Sequence, residues 1–368
     1  MPAKIQMTDL KAQYESIKPE IDAAIQEVVN ESGFILGKQV VLFEEEICRY
    51  FNVKFAVGVA SGTDALVLAL HALSIGKDDE VITTPFTFIA TAEAISRVGA
   101  KPVFCDIDYA TYNLDADKIE EKITSKTRAI LPVHLYGLPC NMNKIMAIAK
   151  KHNLKIIEDC AQSFGSEYEN KKTGTFGNCG CLSFFPAKTL GCFGDGGMII
   201  TDSEEIAQKA KMLRNHGSTK KYYYGMHGFN SRLDTLQAAI LRVKLKYVDQ
   251  WIKKRLANAR LYNHGLNSVK GIELQFVPSE YQHTYNYYTI RVKNNRNDLQ
   301  EQLKGKGIPS MVYYPVCLHL QDVYCELGYK KGDFPIAEVA QEEVMSLPMY
   351  AELNREQIEI IIEELVKT

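Results

Sequence analysis

The chain has 368 residues, of which 46% are hydrophobic and 24% charged, and its formal net charge is −2. This is an ordinary globular composition, and the near-neutral charge argues against nucleic acid or an anionic membrane as the main partner. The apolar runs are too short to span a membrane, and the first residues lack a signal-peptide core, so we expect a cytoplasmic protein. The nine cysteines follow no common zinc spacing, so we expect reduced thiols and no metal site.

Short apolar runs alternate with helical patterns from about residue 55 to 202. The apolar runs are KFAVGVA, EVITTP, KPVFCDI, AILPVHLYG, KIIEDCA, CLSFF and GGMIITD. The segments between them include the helical patterns TDALVLALHAL, FIATAEAISRVG and NKIMAIAKKHN. Continuous apolar strands between helices are typical of a largely parallel sheet that is covered on both faces. We therefore predict an α/β fold for this region.

The C-terminal part of the chain has a different pattern. A helical stretch from about 233 to 266 is long enough to bridge two domains. After it come strand-like YNYYTIRV, helical NDLQEQLKGKG, strand-like PSMVYYPV and a final helix from about Arg355. We predict a large domain over residues 1–245 and a smaller α+β domain over residues 246–368.

A single lysine, Lys188, stands in SFFPAKTLGCFGDGGM between a buried-looking strand and a glycine-rich turn. A buried ammonium is costly unless it is paired or chemically altered. One group that would alter it is a phosphate-bearing aromatic aldehyde, which forms a Schiff base with a lysine. Such a group also needs an acid for its ring nitrogen, donors for its phosphate and a flat side chain over its ring.

The acid candidates are Glu158 and Asp159, at the carboxyl end of the strand KIIED. Ligands of open α/β sheets bind at such strand ends. Because side chains alternate along a strand, only one of the two can face the site.

The candidate phosphate donors lie in VASGTDALVLAL, where a strand ends and a helix begins at Ser61, Gly62 and Thr63. Free N–H groups and the helix dipole favour an anion there, but simple helix capping by Ser61 or Thr63 is an equally open interpretation. Phe86 and Phe88 in TTPFTFIATA are stacking candidates, although aromatics at this position also belong to hydrophobic cores.

Together these motifs resemble the DegT/DnrJ/EryC1/StrS family of sugar aminotransferases, which are pyridoxal-phosphate (PLP) enzymes of fold type I. The resemblance runs in family order from about residue 9 to 350. It is carried by SGTDAL, TPFTFIATAEAI, PVFCDID, PVHLYG, EDCAQSFG, SFFPAKTLGCFGDGG, RNHG, GFNSRLDTLQAAIL, YYPVCLHLQ and SLPMY. It implies a large PLP-binding domain, with a mixed, mostly parallel sheet between helices, and a smaller C-terminal α+β domain.

The resemblance also implies roles for particular residues. Lys188 would be the Schiff-base lysine and Asp159 the partner of the pyridine nitrogen. The remaining cofactor contacts would be Gln162 near the ring hydroxyl, Phe88 on the ring, Gly62, Thr63 and Ser183 at the phosphate, and Asn230 from the neighbouring subunit. A homodimer would therefore be part of the active site. A lysine at position 188 separates the chain from similar sugar dehydratases, which carry histidine there.

The implied reaction is a two-stage, ping-pong transfer of an amino group from L-glutamate to a keto sugar on a nucleotide diphosphate. The basic and aromatic run RNHGSTKKYYYGMHGFNSR favours nucleotide-diphosphate binding, although a solvated loop could have the same composition. The implied substrate contacts are Tyr222, Arg232, Tyr313 and His319, of which His319 could equally be a surface loop residue. The stretches SFFPAKTLGCFGDGGM and GFNSRLDTLQAAIL are most similar to members that aminate the 3-keto carbon of UDP-linked N-acetylglucosamine derivatives, including the uronic acid.

Several alternatives stay open at this point. Members that act on a 4-keto carbon more often have GEGG, and a dTDP-linked 3-keto deoxysugar is another candidate substrate. An NAD-dependent sugar dehydrogenase would share the βα pattern, but no G-x-G-x-x-G follows the first strand. A catalytically idle regulatory or binding protein on the same scaffold is the remaining alternative, and the joint presence of lysine, aspartate and phosphate donors argues against it.

Overall fold

A computed structural model describes residues 5–367. The helices are α1 (Leu10–Glu31), α2 (Lys38–Phe51), α3 (Gly62–Ala72), α4 (Ala90–Arg97), α5 (Met142–His152), α6 (Glu204–Leu213), α7 (Thr235–Leu245), α8 (Val248–Leu266), α9 (Arg296–Gly305), α10 (Pro335–Glu343) and α11 (Arg355–Val366). The strands are β1 (Phe55–Val59), β2 (Glu80–Thr83), β3 (Lys101–Phe104), β4 (Thr127–Ile130), β5 (Lys155–Asp159), β6 (Glu167–Tyr168), β7 (Lys171–Lys172), β8 (Cys179–Ser183), β9 (Gly197–Thr201), β10 (Ser218–Lys220), β11 (Tyr223–Tyr224), β12 (Ile272–Leu274), β13 (Tyr281–Gln282), β14 (Tyr288–Val292) and β15 (Val344–Leu347). Within the described range, each helix is too short or too polar to cross a membrane.

The central sheet has seven strands in the order β1-β9-β8-β5-β4-β2-β3. Strands β3, β2, β4, β5 and β8 pair in parallel, whereas β9 is antiparallel to both of its neighbours, β1 and β8. Side chains alternate between the two faces, so that Val57 of β1 packs with α3 and α6 while Ala56 packs with α2 and α7. The mixed, mostly parallel sheet between helices is the predicted architecture.

A second core lies in the C-terminal part of the chain. The three-stranded sheet β12-β14-β15 packs there against α8, α9 and α11 through buried residues such as Tyr262, Ile290 and Ile361. The strand predicted within PSMVYYPV is absent, and only Met311 forms an isolated bridge, to Ser346. Two prolines in this part of the chain lack the N–H that a ladder requires, and β15 takes the place beside β14.

The single helix predicted from about 233 to 266 is instead two helices, α7 and α8. At the break, the N–H groups of Lys246 and Tyr247 donate to the carbonyls of Val243 and Lys244, three residues back, at 3.2 and 3.0 Å. This tighter turn ends α7, and the Tyr247 hydroxyl is held by Glu20 of α1. We place the proposed boundary between the two domains, after residue 245, at this break.

The carboxyl ends of β1, β2, β4, β5 and β8 meet at one edge of the central sheet, because β9 alone runs in the opposite direction. The loops that follow these five strands therefore come together, and they contain most of the polar residues singled out in the sequence. In open α/β sheets this edge is where ligands bind.

Candidate active site

A cavity of about 420 Å³ lies at this edge of the sheet. The sequence-predicted residues that line it are Gly62, Thr63, Phe88, Asp159, Gln162, Ser183, Lys188 and Tyr313. Other side chains in the lining include Thr87, Thr91, Asp195, Tyr287 and Tyr314. Residues from five separate loops and from the C-terminal part of the chain thus meet in one space of the size that small-molecule ligands occupy.

Lys188 is carried by the loop that connects β8 to β9. Its backbone N–H donates to the Phe185 carbonyl at 2.9 Å, and the loop is closed where Cys192 N–H donates to the Phe184 carbonyl at 2.8 Å. The Lys188 side chain lines the cavity, where burial lowers its pKa to about 8 although attraction to Asp159 acts in the opposite direction. A lysine with a lowered pKa has more of the neutral amine, which is the nucleophilic form.

The structure separates the two acids at the end of β5. Asp159 lines the cavity, and Glu158 is fully buried on the other side, where its carboxylate accepts three backbone N–H bonds. The three donors to Glu158 are Gly174 at 2.7 Å, Phe176 at 2.7 Å and Gly177 at 2.8 Å. Glu158 therefore anchors the loop before β8, and Asp159 is the acid available to a ligand.

The Asp159 carboxylate is held at both of its oxygens. Oδ1 accepts from the Ala161 N–H at 3.0 Å, and Oδ2 accepts from the Thr91 hydroxyl at 2.8 Å. Burial raises the pKa of Asp159 above its ordinary value, while these two hydrogen bonds and the charge of Lys188 lower it. The donors thus favour the ionised carboxylate against the effect of burial.

An anion cradle lies where β1 ends and α3 begins. Ser61 caps α3, since its Oγ accepts from the Asp64 N–H at 3.1 Å, and the N–H groups of Gly62 and Thr63 belong to the first helical turn, which has no intrahelical acceptors. A Cβ on Gly62 would lie 2.6 Å from the Ser183 Cβ, so only glycine lets the two segments approach so closely. Capping by Ser61 and anion binding by its neighbours are therefore compatible.

Aromatic side chains and the amide of Gln162 line another side of the cavity. Phe88 is 55% exposed and its ring lies 6.1 Å from that of Tyr314, whereas Phe86 is fully buried in the core. Gln162 is fixed at both ends, since its Oε1 accepts from the Tyr136 N–H at 2.7 Å and its Nε2 donates to the Tyr314 hydroxyl at 3.0 Å. Of the two phenylalanines, only Phe88 presents its ring to a ligand.

His319 does not line the cavity. It is 2% exposed, its Nε2 lies 3.1 Å from Glu338 Oε1 and its ring packs against Phe334. Two residues before His319, the Cys317 N–H donates to Gln341 Oε1 of α10 at 2.7 Å, and this bond holds the segment against the core. This burial contradicts the alternative that His319 is a surface loop residue, and its approach to a sugar stays a prediction.

Three other predicted residues also lie outside the cavity lining of this chain. Asn230 is exposed and bridges to Asn215, whose side chain accepts from Arg232 Nη1 at 3.0 Å. Tyr222 is 76% exposed in the hairpin of β10 and β11. Asn230 and Tyr222 thus lie at the surface of the chain, and Arg232 is half-buried.

One group of possible metal ligands occurs among residues 5–367, formed by the buried His134, Glu158 and Cys160, whose ligand atoms lie within 4.8 Å of one another. His134 Nδ1 accepts from the Cys140 N–H at 3.0 Å, and its Nε2 lies 3.0 Å from Glu158 Oε2. Because the Glu158 carboxylate also accepts from three backbone N–H groups, its lone pairs and that of His134 Nδ1 are already engaged in hydrogen bonds. The group is an internal scaffold behind Asp159.

Sequence reasoning did not single out Thr87, Thr91, Tyr287 or Tyr314. Thr87 and Thr91 are four residues apart in TFIATA, a spacing that places two hydroxyls on one face at a helix start. That spacing was the available signal for the threonines. The two tyrosines come from the C-terminal part of the chain, and nothing local in their motifs points toward Asp159.

Comparison with known proteins agrees with this geometry. The model of the DegT/DnrJ/EryC1/StrS aminotransferase family matches residues 15–366. The chain is 48% identical to the "Pleiotropic regulatory protein" of Geobacillus stearothermophilus, over 99% of this chain and 98% of the relative. It is 45% identical to the UDP-N-acetyl-3-dehydro-alpha-D-glucosamine 3-aminotransferase of Acidithiobacillus ferrooxidans, over 96% of this chain and 95% of the relative. Further relatives are named as transaminases or aminotransferases of UDP-linked 3-oxo and dTDP-linked 3-amino sugars.

Among solved structures, DesV of S. venezuelae in complex with a ketimine intermediate superposes with a TM-score of 0.97 at 40% identity, covering 99% of this chain and 98% of that chain. The predicted family, fold class and cofactor are thereby confirmed. The chain belongs to the DegT/DnrJ/EryC1/StrS aminotransferase family of PLP-dependent sugar aminotransferases.

Proposed function

We propose that the cavity around Lys188 and Asp159 holds PLP. The observation that carries this proposal is the meeting, in one cavity, of a lysine with a lowered pKa, a carboxylate and an anion cradle at a helix start. The close approach of Gly62 to Ser183 supports it, because it brings a hydroxyl beside the free N–H groups of α3. When bound, PLP supplies an electron sink for the amino-group carbon of the substrate.

Each residue has a distinct task in this proposal. Lys188 Nζ would hold the cofactor covalently, and its free amine would accept and return the proton that moves during amino transfer. Asp159 keeps the ring nitrogen protonated through its ionised carboxylate. Phe88 would cover the ring, and Gln162 would lie near the ring hydroxyl. The phosphate is held by the cradle residues Gly62, Thr63 and Ser183.

We further propose that the substrate is a UDP-linked sugar derived from N-acetylglucosamine, aminated at its 3-keto carbon with L-glutamate as donor. The 45%-identical relative that carries such a name supports this choice, as does Asp195 of GDGG at the cavity wall. Within the described residues, Lys188 is the one basic side chain of the lining, so the diphosphate would need cations from elsewhere. Lys220, Lys221 and Arg232 are candidates. Such an amino sugar would serve cytoplasmic synthesis of a polysaccharide such as an O-antigen.

The first experiment is a substrate panel with full-length protein, PLP and L-glutamate. The panel contains 3-keto and 4-keto forms of UDP-linked N-acetylglucosamine sugars, the 3-keto uronic acid and a dTDP-linked 3-keto deoxysugar. We expect kcat/KM for a UDP-linked 3-keto sugar to exceed the values for the 4-keto and dTDP-linked sugars by about tenfold or more. That factor corresponds to about 1.4 kcal/mol in transition-state binding. A preference for a 4-keto or dTDP-linked sugar would contradict the substrate proposal. Failure of L-glutamate alone to change the cofactor spectrum would favour the regulatory alternative.

We also propose a homodimer in which each subunit completes the other's phosphate site with Asn230. Asn230 is exposed, and so are Phe34 and Ile35, at 44% and 54%. These two apolar residues lie beside the segment that contains Asn230: Ile35 forms a β-bridge with Asp234, and the Phe34 carbonyl accepts from the Thr235 N–H. An exposed polar residue beside exposed apolar side chains is typical of a surface that a partner covers. A second copy of this chain, which would bring its own Asn230, is the partner that we propose for this surface.

Mixing two defective variants tests this arrangement. Lys188→Ala and Asn230→Ala chains are expected to be weakly active alone. After co-expression about one quarter of the wild-type activity should return, because half of randomly paired dimers are hybrids and each hybrid has one intact site. Activity no greater than the sum of the two separate variants would contradict a shared site.

A further inference from the structure

The Asp159 carboxylate accepts hydrogen bonds from two donors that come from different parts of the chain. The Ala161 N–H follows directly after β5, whereas the Thr91 hydroxyl comes from the first turn of α4, 68 residues earlier. Each carboxylate oxygen accepts about two hydrogen bonds, so one site on each oxygen remains for a ligand in the cavity. The two protein donors therefore determine which lone pairs of Asp159 face that ligand.

The direction of the Thr91 hydroxyl follows from its partners. Its Oγ1 lies 2.8 Å from Asp159 Oδ2 and 3.3 Å from the Thr87 Oγ1. An ionised carboxylate can only accept, so Thr91 donates to Asp159, and Thr87 must be the donor in its contact with Thr91. The result is a short chain of hydroxyls that ends on the carboxylate, and bonds in such a chain strengthen one another.

This chain is buried at the wall of the cavity. Thr87, Thr91 and Asp159 are 2%, 1% and 4% exposed, so water cannot readily take the place of a missing hydroxyl. The charge of Lys188 also acts on Asp159 and favours its ionised form. Among these interactions, the hydrogen bond from Thr91 orients a carboxylate oxygen and is donated by a side chain. It can therefore be removed by a substitution that keeps the shape of the residue.

We propose that Thr91 is a positioning residue for the amino-transfer reaction: its hydroxyl, oriented by Thr87, holds Asp159 Oδ2 so that the carboxylate meets the ring nitrogen of the cofactor. This inference rests on the proposed role of Asp159. It assigns to α4 a part in cofactor recognition in addition to its packing against β2 and β3. The Thr87–Thr91 pair acts through Asp159 and makes no bond to the substrate in this scheme.

The test compares Thr91→Val, which keeps the branched shape, with Thr91→Ser, which keeps the hydroxyl. Full-length protein is freed of cofactor and titrated with pyridoxamine phosphate, which binds without a bond to Lys188 and needs no sugar. We expect the valine variant to bind it roughly 10- to 100-fold more weakly, the range expected for one hydrogen bond to a charged group, and the serine variant to bind within about threefold of wild type. Thr87→Val should have a smaller effect than Thr91→Val, because its contact is longer.

The outcomes separate this inference from the proposals on which it rests. Unchanged affinity in Thr91→Val, or equal losses in the valine and serine variants, would overturn the inference. Unchanged affinity in Asp159→Asn would overturn it as well, through the role given to Asp159. Failure of every nucleotide sugar in the substrate panel would contradict only the proposed substrate, since these binding constants are measured without sugar.

Discussion

Lys188→Ala protein is expected to lose at least about 10³-fold in kcat for amino transfer, because the variant lacks both the covalent attachment and the group that moves the proton. The loss should appear in kcat more than in the KM for L-glutamate, since the cradle and Asp159 remain to bind the cofactor. Steady-state rates with saturating PLP measure it. Turnover close to that of wild type would refute the role given to Lys188.

The wild-type chain contains its own control for this prediction. Lys244 is also buried and burial lowers its pKa to about 8, but its Nζ donates to the Gly191 carbonyl at 2.5 Å and lies beside the rings of Phe193 and Trp251. Borohydride reduction of the PLP-loaded protein should add the cofactor mass to the peptide with Lys188 and leave the Lys244 peptide unmodified. Because the pKa of Lys188 is about 8, capture of PLP should speed up as pH rises toward 8 and level off above it.

Asp159→Asn is expected to lower kcat/KM by about 10²- to 10³-fold, since a neutral amide cannot stabilise the positive charge of a protonated ring nitrogen. The amide oxygen can still accept from the Ala161 N–H, and the amide nitrogen can donate to the Thr91 hydroxyl, so the local packing should survive. The measurement is kcat/KM for the L-glutamate half-reaction, followed through the cofactor spectrum. A loss of less than about tenfold would contradict the assignment of Asp159 as the ring-nitrogen partner.

Glu158→Gln provides the matched control one residue away. Glu158 accepts three backbone N–H bonds on the opposite side of β5, so its neutralisation should weaken the loop before β8 and not the cofactor contact. We expect the free energy of unfolding to fall by about 1–3 kcal/mol, with cofactor affinity close to that of wild type. Equal effects of the two substitutions on cofactor affinity would mean that the division of roles between the two acids is wrong.

Much of the fold was predictable because its signals are local. Apolar runs of strand length between helical patterns such as NKIMAIAKKHN indicated the layered sheet. The break between α7 and α8 was not predictable in this way. Residues 246 and 247 carry neither proline nor glycine, and the contact of Tyr247 with Glu20 of α1 is a tertiary one.

The sequence by itself determined the chemistry of the site, because the lysine in a glycine-rich turn, the acid pair at a strand end and the small residues at a helix start are each contained in a short local motif. Only the tertiary structure decided which acid and which phenylalanine face the cavity, that Thr91 holds Asp159, and that His319 is buried against Phe334. The physical reason is that strand alternation offers two opposite faces, and the packing of segments far apart in sequence selects one of them. The orientation of the side chains at the site is therefore decided by the folded chain, whereas the types of the reacting residues are given by short sequence motifs.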